Sequence, residues 1–291
     1  MTQLQAKIIL FVMPYPKNDA EFNPEFSNEE KCLEYIEKLK YKDGIYCQKC
    51  KTKLLKVRMR TYECTKCHRQ ESVLSGTLFQ DTHKPLVLWF KAIWYIASSI
   101  GRDTAYQLQR SLGIKSYKTA WVWLQKLRQI MVNLDKERLS GDIEVIGDAV
   151  KIRGKGEKNR TEKDTEIPIL IAMKVRNNSI KQIRIGVLTD ISKDSQESFI
   201  QEAVEKKSNI TTYKRQNKEE RHFNIISQIN KFVRERSLGF YSKKHLPYYF
   251  DVFTFHYNYH KEDTKNELFS RLIKNAVQQK PVTYRNIVAN N

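Results

Sequence analysis

Cys47-Gln-Lys-Cys50 and Cys64-Thr-Lys-Cys67 set two C-x-x-C pairs thirteen residues apart in a chain of 291 residues. Such a pair lets two thiolates reach one metal from a single tight turn, and four thiolates fill a tetrahedral zinc shell with no open position. The predicted chemistry is therefore structural Zn2+ binding by Cys47, Cys50, Cys64 and Cys67, against the alternative of two separate thiol pairs with redox roles. His68 adjoins a ligand, but a complete thiolate shell leaves it as a surface or packing residue. Cys32, in a helical pattern with Leu33 and Ile36, reads as a buried free thiol.

Cations crowd these knuckles: Lys49, Lys51, Lys53, Lys56, Arg58, Arg60, Lys66 and Arg69. A solvated face would account for them, but their density around a metal-held hairpin favours a phosphate-contacting surface. Lys49, Arg58, Arg60, Lys66 and Arg69 are the candidates there. The whole chain points the same way, with 52 Lys+Arg against 33 Asp+Glu and a net charge of +19, which a polyanionic partner explains most simply. A second basic run, Lys151-Ile-Arg-Gly-Lys-Gly-Glu-Lys-Asn-Arg160, sets Lys151, Arg153, Lys155, Lys158 and Arg160 against one Glu, as a phosphate clamp would. DNA is the expected partner; an RNA-binding or protein-interaction module is disfavoured by the lack of an aromatic-rich RNA-binding signature. No run reaches the roughly 18 apolar residues of a membrane span, and Leu10 to Met13 is too short for a signal peptide. A cytoplasmic, nucleoid-associated location is expected.

The elements that would position these groups divide the chain into five segments. Residues 1–45 end in a helix over Glu29 to Leu39, with Ser27 or Asn28 as its N-cap. Residues 46–75 are the zinc ribbon, with β-prone Leu54, Leu55 and Val57 between the knuckles. Residues 80–139 are helical: Pro85 opens a helix carrying Leu86, Trp89, Phe90, Ile93 and Ile96 on one face. Thr104 to Leu112, the Gly113-Ile114 turn and Ser116 to Met131 then outline a helix-turn-helix. Tyr117, Lys118, Gln125, Lys126 and Arg128 form its expected polar face, with Lys118 and Lys126 as DNA candidates, while Trp121, Leu124 and Leu127 point inward.

Residues 141–260 open with strands at Ile143 to Val150, Ile167 to Val175 and Ile180 to Leu188, the last two joined as a hairpin at Asn177-Asn178. Helices follow at Asp194 to Glu205, Phe223 to Glu235 and Lys244 to Tyr259, so an α/β core is expected. Residues 261–291 read as a charged, partly disordered tail.

The succession Arg69-Gln-Glu-Ser-Val-Leu-Ser-Gly-Thr-Leu-Phe79, Lys84-Pro-Leu and Trp89-Phe after the ribbon resembles the zinc-ribbon DDE transposases of the ISXO-two-like insertion sequences. Ala105 to Trp121 is similar to that family's helix-turn-helix, Gly141-Asp-Ile-Glu-Val145 to the opening of its first catalytic strand, and Tyr241 through Lys243-Lys-His-Leu246 to Tyr257-Asn258 to its closing helices. The resemblance spans Tyr46 to Asn258. It implies a C-terminal ribonuclease H-like domain in which acidic residues hold two divalent cations, about 3.5–4 Å apart, for DNA cleavage and strand transfer. It also allows a homo-oligomer, although no residue marks an interface.

Against that pattern the acids are missing. Ile146 stands where the first aspartate belongs, Tyr213 follows Thr212 at the second position, and His222-Phe-Asn224-Ile-Ile-Ser227 leaves Ser227 at the third. Glu144 and Asp148 share a strand face with Ile146, but each is displaced by about 6.6 Å, and magnesium, at about 2 Å from its oxygens, does not tolerate such a shift without rebuilding. Glu144, Asp148, His222 and Asn224 are therefore the weak catalytic candidates, with Glu219 and Glu220 nearby and Asp190 assigned to a turn or helix cap. The expectation is a DNA-binding protein of transposase plan without catalysis. The alternative is an active transposase with relocated acids, needing Mg2+.

Overall fold

The computed structural model describes residues 18–41, 44–47, 49–98, 104–134, 138–153, 164–213, 217, 219–236, 246–259, 265–281 and 287. The N-terminal helices are short and firmly capped. Helix α1 (Asp19–Glu25) starts at Asn18, and α2 (Glu29–Lys40) at Asn28, whose side chain accepts from the Lys31 N–H at 3.0 Å. Glu29 and Glu30 in the first turn of α2, with Lys38 and Lys40 in the last, complement its dipole.

The ribbon is a three-stranded antiparallel sheet of β1 (Leu54–Arg58), β2 (Thr61–Cys64) and β3 (Gln70–Ser72), in the order β1-β2-β3. Its exit carries the segment Val73 to Phe79, where the buried Thr77 hydroxyl donates to the Leu74 carbonyl at 2.7 Å and accepts from the Phe79 N–H at 3.1 Å. That loop delivers the chain to α3 (Leu86–Ser98), which is apolar almost all round because it lies in the middle of the core.

Thr104 caps α4 (Ala105–Leu112), and Gly113 ends it in the left-handed region at φ 63°, where a residue without a Cβ is favoured. Helix α5 (Tyr117–Leu134) packs back on α4 and stacks Trp123 on Trp89, ring centroids 3.8 Å apart. The expected polar face of α5 is only partly outward. Gln125 and Arg128 are buried, because the start of α8 (Leu246–Tyr259) lies over them: Tyr248 donates to the Gln125 carbonyl at 3.1 Å, and the Arg128 guanidinium sits 5.4 Å from the Tyr249 ring.

The second sheet comprises β4 (Asp142–Arg153), β5 (Asp164–Arg176), β6 (Ser179–Val187) and β7 (Asn209–Tyr213) in the order β6-β5-β4-β7. The first three strands pair antiparallel, with Asn177 and Asn178 at φ 53° and 56° in the β5–β6 turn, and β7 pairs parallel to β4. The crossover to β7 runs through α6 (Lys193–Ala203). Strand β4 alternates: Ile143 and Val145 join the cluster under α6, while Ile146 and Val150 join the opposite cluster with α7 (Glu220–Arg236) and α8. Asn258 of α8 closes the outer edge of β6, accepting from the Ile183 N–H at 2.7 Å and donating to its carbonyl at 3.1 Å.

Within the segment expected as a charged, partly disordered tail, residues 265–278 are helical. Helix α9 (Lys265–Gln278) buries Phe269, Leu272, Ile273, Ala276 and Val277 in the cluster that holds the ribbon, α2 and α3. Phe269 meets Phe22, Phe26, Phe90 and Trp94 at 5.5–6.2 Å between ring centroids. Charged residues along 265–278 had hidden a one-sided apolar stripe. The outcome is a mixed α/β protein with, among the described residues, nine helices and two sheets.

Candidate functional site

The two knuckles have the same backbone. Lys51 N–H donates to the Cys47 carbonyl at 2.8 Å and His68 N–H to the Cys64 carbonyl at 2.9 Å, and Lys51 and His68 both adopt φ 56°. Cys47 N–H reaches the Thr52 carbonyl at 2.8 Å and Cys64 N–H the Arg69 carbonyl at 3.0 Å, so each turn closes in the same way. The equivalence follows from sequence, since each C-x-x-C is followed by a residue that must take the left-handed bend. It aims four Sγ atoms at one point.

These sulfurs lie within 4.8 Å of one another, with Cys47 and Cys67 at 3.7 Å. A tetrahedron of thiolates about 2.3 Å from zinc has edges of about 3.8 Å, whereas a disulfide needs about 2.05 Å. The four cysteines thus fit a zinc ion, and all are free thiols. Backbone N–H donation, first from Cys50 and then from Lys49, lowers the Cys47 thiol to about 7. Hydrogen bonding with Cys67, then burial, pushes Cys50 up to about 12. Thiols so close cannot all ionise without a cation among them. Cys32 is buried and lifted to about 12 by desolvation, which fits an inert core thiol.

Lys49, Arg58, Lys66 and Arg69 are exposed around this site. Arg60 is instead part-buried against Glu29, whose other oxygen accepts from the Leu86 N–H at 2.7 Å. One carboxylate thereby ties the ribbon to the start of α3. Lys118 is exposed at the start of α5 beside Tyr117. Lys126 is half-buried with its ammonium 5.9 Å from the Trp89 ring, and burial lowers its pKa. Lys151 pairs with Glu166 at 3.4 Å. Lys155, Lys158, Arg160 and the side chain of Arg153 lie outside the described residues, as do 241–245 of the closing motif.

The third assembly lies where β4, β7 and the start of α7 meet. Ile146 is fully buried in the apolar cluster and pairs across the sheet with Tyr213; Ser227 and Asn224 are exposed on α7. The carboxylate two residues before Ile146 is Glu144, which is 9% exposed. Arg221 grips it with two hydrogen bonds, Nε to Oε2 at 3.0 Å and a terminal nitrogen to Oε1 at 2.6 Å. The other terminal nitrogen pairs with Glu219 at 2.5 Å and also reaches Asn178. Tyr213 Oη lies 3.4 Å from both carboxylates.

His222 completes the network. Its Nδ1 accepts from the Glu219 backbone N–H at 3.0 Å, so the ring proton sits on Nε2, which donates to Glu144 Oε2 at 2.8 Å. Burial alone would raise the Glu144 carboxyl, but hydrogen bonds from Arg221 and His222, reinforced by the charge of Arg221, outweigh it and hold the group below its ordinary 4.5. This arrangement places one fixed cation between two carboxylates, with a neutral imidazole behind one of them. Of the weak catalytic candidates, the structure brings Glu144 and His222 together with Glu219. It does not bring Asn224 or Asp148 into the hydrogen bonds of this network; the Asp148 carboxylate accepts from the Ala149 N–H at 2.7 Å.

Sequence reasoning missed Arg221. Its only signal was adjacency to His222, and nothing local says that it reaches a glutamate 77 positions earlier. Asp190 lies in the turn before α6, whose N-cap is Ser192: it accepts from Ser192 N–H at 2.9 Å and Ser195 Oγ at 2.7 Å, and the seryl bonds hold its carboxyl at about 2. Among the described residues, the four cysteines are the group of His, Cys, Asp and Glu side chains converging closely enough for a metal, and no helix is long and apolar enough to cross a membrane. No protein-family profile, curated protein or solved structure matches the chain.

Proposed function

We propose that this chain is a zinc-carrying, transposase-derived DNA-binding protein that does not cut or join strands. The observation that carries the second half of the reading is Arg221, whose guanidinium stands between Glu144 and Glu219. A pair of divalent ions needs clustered negative oxygens. Here Glu144 and Glu219 are already compensated by an internal cation, and Ile146, Tyr213 and Ser227 supply no charge at the positions where the family resemblance places acids. The ribonuclease H-like plan implied by the resemblance is supported by the strand order β6-β5-β4-β7, with three antiparallel strands, a helical crossover and β7 parallel to β4.

DNA binding is supported by the net charge of +19, by the exposed Lys49, Arg58, Lys66 and Arg69 beside a knuckle-held sheet, and by the α4–Gly113–α5 unit with Lys118 at its tip. Such a protein acts in the cytoplasm, on the nucleoid. Zinc has a structural part: it would hold the ribbon through Cys47, Cys50, Cys64 and Cys67, and the chemistry it supplies is rigidity alone.

A mobility-shift titration tests the binding. Affinity is expected to fall steeply with salt, by about 10³ or more between 50 and 200 mM for six or more phosphate contacts; no binding at low salt removes the reading. A cleavage and strand-transfer assay with Mg2+ or Mn2+ tests the second half, with no metal-dependent product expected. The rival, an active transposase with relocated acids, draws on the meeting of Glu144, Glu219 and His222 in one network. Robust cutting abolished by Glu144→Gln or Asp148→Ala would establish that rival.

A further inference from the structure

The ribbon carries an apolar row on its outside. Leu55, Val57 and Met59 are 55%, 48% and 51% exposed, at alternate positions from β1 into the two-residue turn before β2. The sheet's other face is spoken for: Leu54, Tyr62 and Cys64 are buried, Lys56 pairs with Glu37 of α2 at 3.0 Å, and Arg60 pairs with Glu29. The hairpin is therefore held from behind by α2 and presents its aliphatic side chains outward. Val57 is the residue displaced at the irregularity between the Lys56↔Tyr62 and Arg58↔Thr61 pairs, which turns it out of the ladder. Beyond Leu54, no strand among the described residues pairs with the free edge of β1.

Three neighbouring aliphatics left in water are not explained by the fold. Arg58 beside Val57 and Met59, with exposed Lys49, Lys51 and Lys53 toward the knuckle end of the same hairpin, outnumbers the carboxylate of Glu63 opposite Leu55 and selects their partner by charge. A second copy would bring the same positive surface against itself, whereas a polyphosphate backbone complements it and releases counterions. Apolar side chains flanked by Lys and Arg are the equipment with which proteins enter a minor groove, prise apart one base step and bend the duplex. A hairpin braced by two metal-knuckle turns is stiff enough to do this, since the backbone entropy is already spent.

We infer that the β1–β2 hairpin is a DNA-bending wedge, with Met59 and Val57 entering the minor groove of a duplex and Arg58 holding the adjoining phosphate. The inference rests on the DNA-binding reading above and deepens it. It assigns the ribbon a role distinct from that of the α4–α5 unit: deformation of DNA rather than reading of base edges.

The test uses the full chain, zinc-loaded, and a duplex of roughly 30 base pairs, short against the persistence length, with a donor and an acceptor dye at its ends. Binding is expected to raise energy transfer as the ends approach, and a Val57→Thr/Met59→Ser variant is expected to lose that rise. Its affinity should weaken by roughly tenfold or more, as the loss of a buried aliphatic side chain implies, while its salt dependence stays that of the parent. Arg58→Ala should lower the salt slope by about one. All three side chains are exposed, and zinc content with an unchanged melting temperature verifies that the variants fold. The wedge is overturned if the parent binds without bending, or if the apolar variant bends DNA as the parent does. It is also overturned if the variant changes the sedimenting mass and leaves DNA behaviour untouched, because the row then belongs to a protein contact. Absence of any binding at low salt instead removes the DNA reading itself.

Discussion

Replacing Arg221 by Met keeps the length and much of the apolar volume of the side chain but deletes the guanidinium that holds Glu144 and Glu219. The parent carries two hydrogen bonds to Glu144, at 3.0 and 2.6 Å, and an ion pair to Glu219 at 2.5 Å. Glu219 is about half exposed and recovers its loss from water. Glu144 cannot, because it is 9% exposed and is left with His222 and Tyr213 as its only remaining partners in this network. Breaking a buried pair by removing one partner costs about 3–5 kcal/mol, and the exposure of Glu219 places the expected value near the lower end, about 3 kcal/mol. That corresponds to a fall of roughly 6–12 °C in melting temperature for a cooperative unit of this size. Thermal melts read by circular dichroism, with urea titrations for the free energy, measure it. A second change separates an uncompensated charge from lost packing: in the Glu144→Leu/Arg221→Met protein no carboxylate is stranded, so most of the stability should return. If Arg221→Met melts within 1 °C of the parent, the guanidinium is not holding β4 to α7. If the double variant is less stable than the single one, the loss lies in packing and the charge argument fails.

The depressed Glu144 carboxyl makes a pH prediction. A carboxylate held below its ordinary 4.5 in the folded protein contributes stability that is complete above that value and is lost as pH falls through the lower folded value. Melts between pH 6 and 3 should therefore show a steepening loss below about pH 4.5 that is absent from Glu144→Gln; parallel curves would contradict it. Chelation should release one zinc per chain and loosen the ribbon while leaving the β4–β7 sheet in place, since the ribbon cluster and the sheet clusters are separate. Metal analysis finding no zinc, or global unfolding on chelation, would count against it. Gly186→Ala should cost about 1–3 kcal/mol, because a Cβ there would lie 2.3 Å from the Phe199 ring that packs over β6. A neutral effect in urea unfolding would mean that Phe199 moves aside freely.

Much was legible from residue type and spacing. The metal site is local: two five-residue turns repeat one chemistry, so thirteen intervening residues suffice to predict that four sulfurs converge. The capped helix after Asn28, the Gly113 break and the Asn177-Asn178 hairpin were likewise written in side chains that act on their own backbone. The absence of an acid at Ile146 is also a statement of sequence.

What surrounds Ile146 was decided only when strands and helices came together. Glu144 and Arg221 are 77 residues apart, and the parallel pairing of β7 with β4, which puts Tyr213 beside Ile146, has no short-range signature. Burial made the same kind of decision on α5, where polar Gln125 and Arg128 are covered by α8, and on α9, whose charged sequence conceals the stripe that closes the N-terminal core. Local pattern determines which face of an element is apolar; only the tertiary structure determines what arrives to cover it, because that contact joins residues the chain itself keeps far apart.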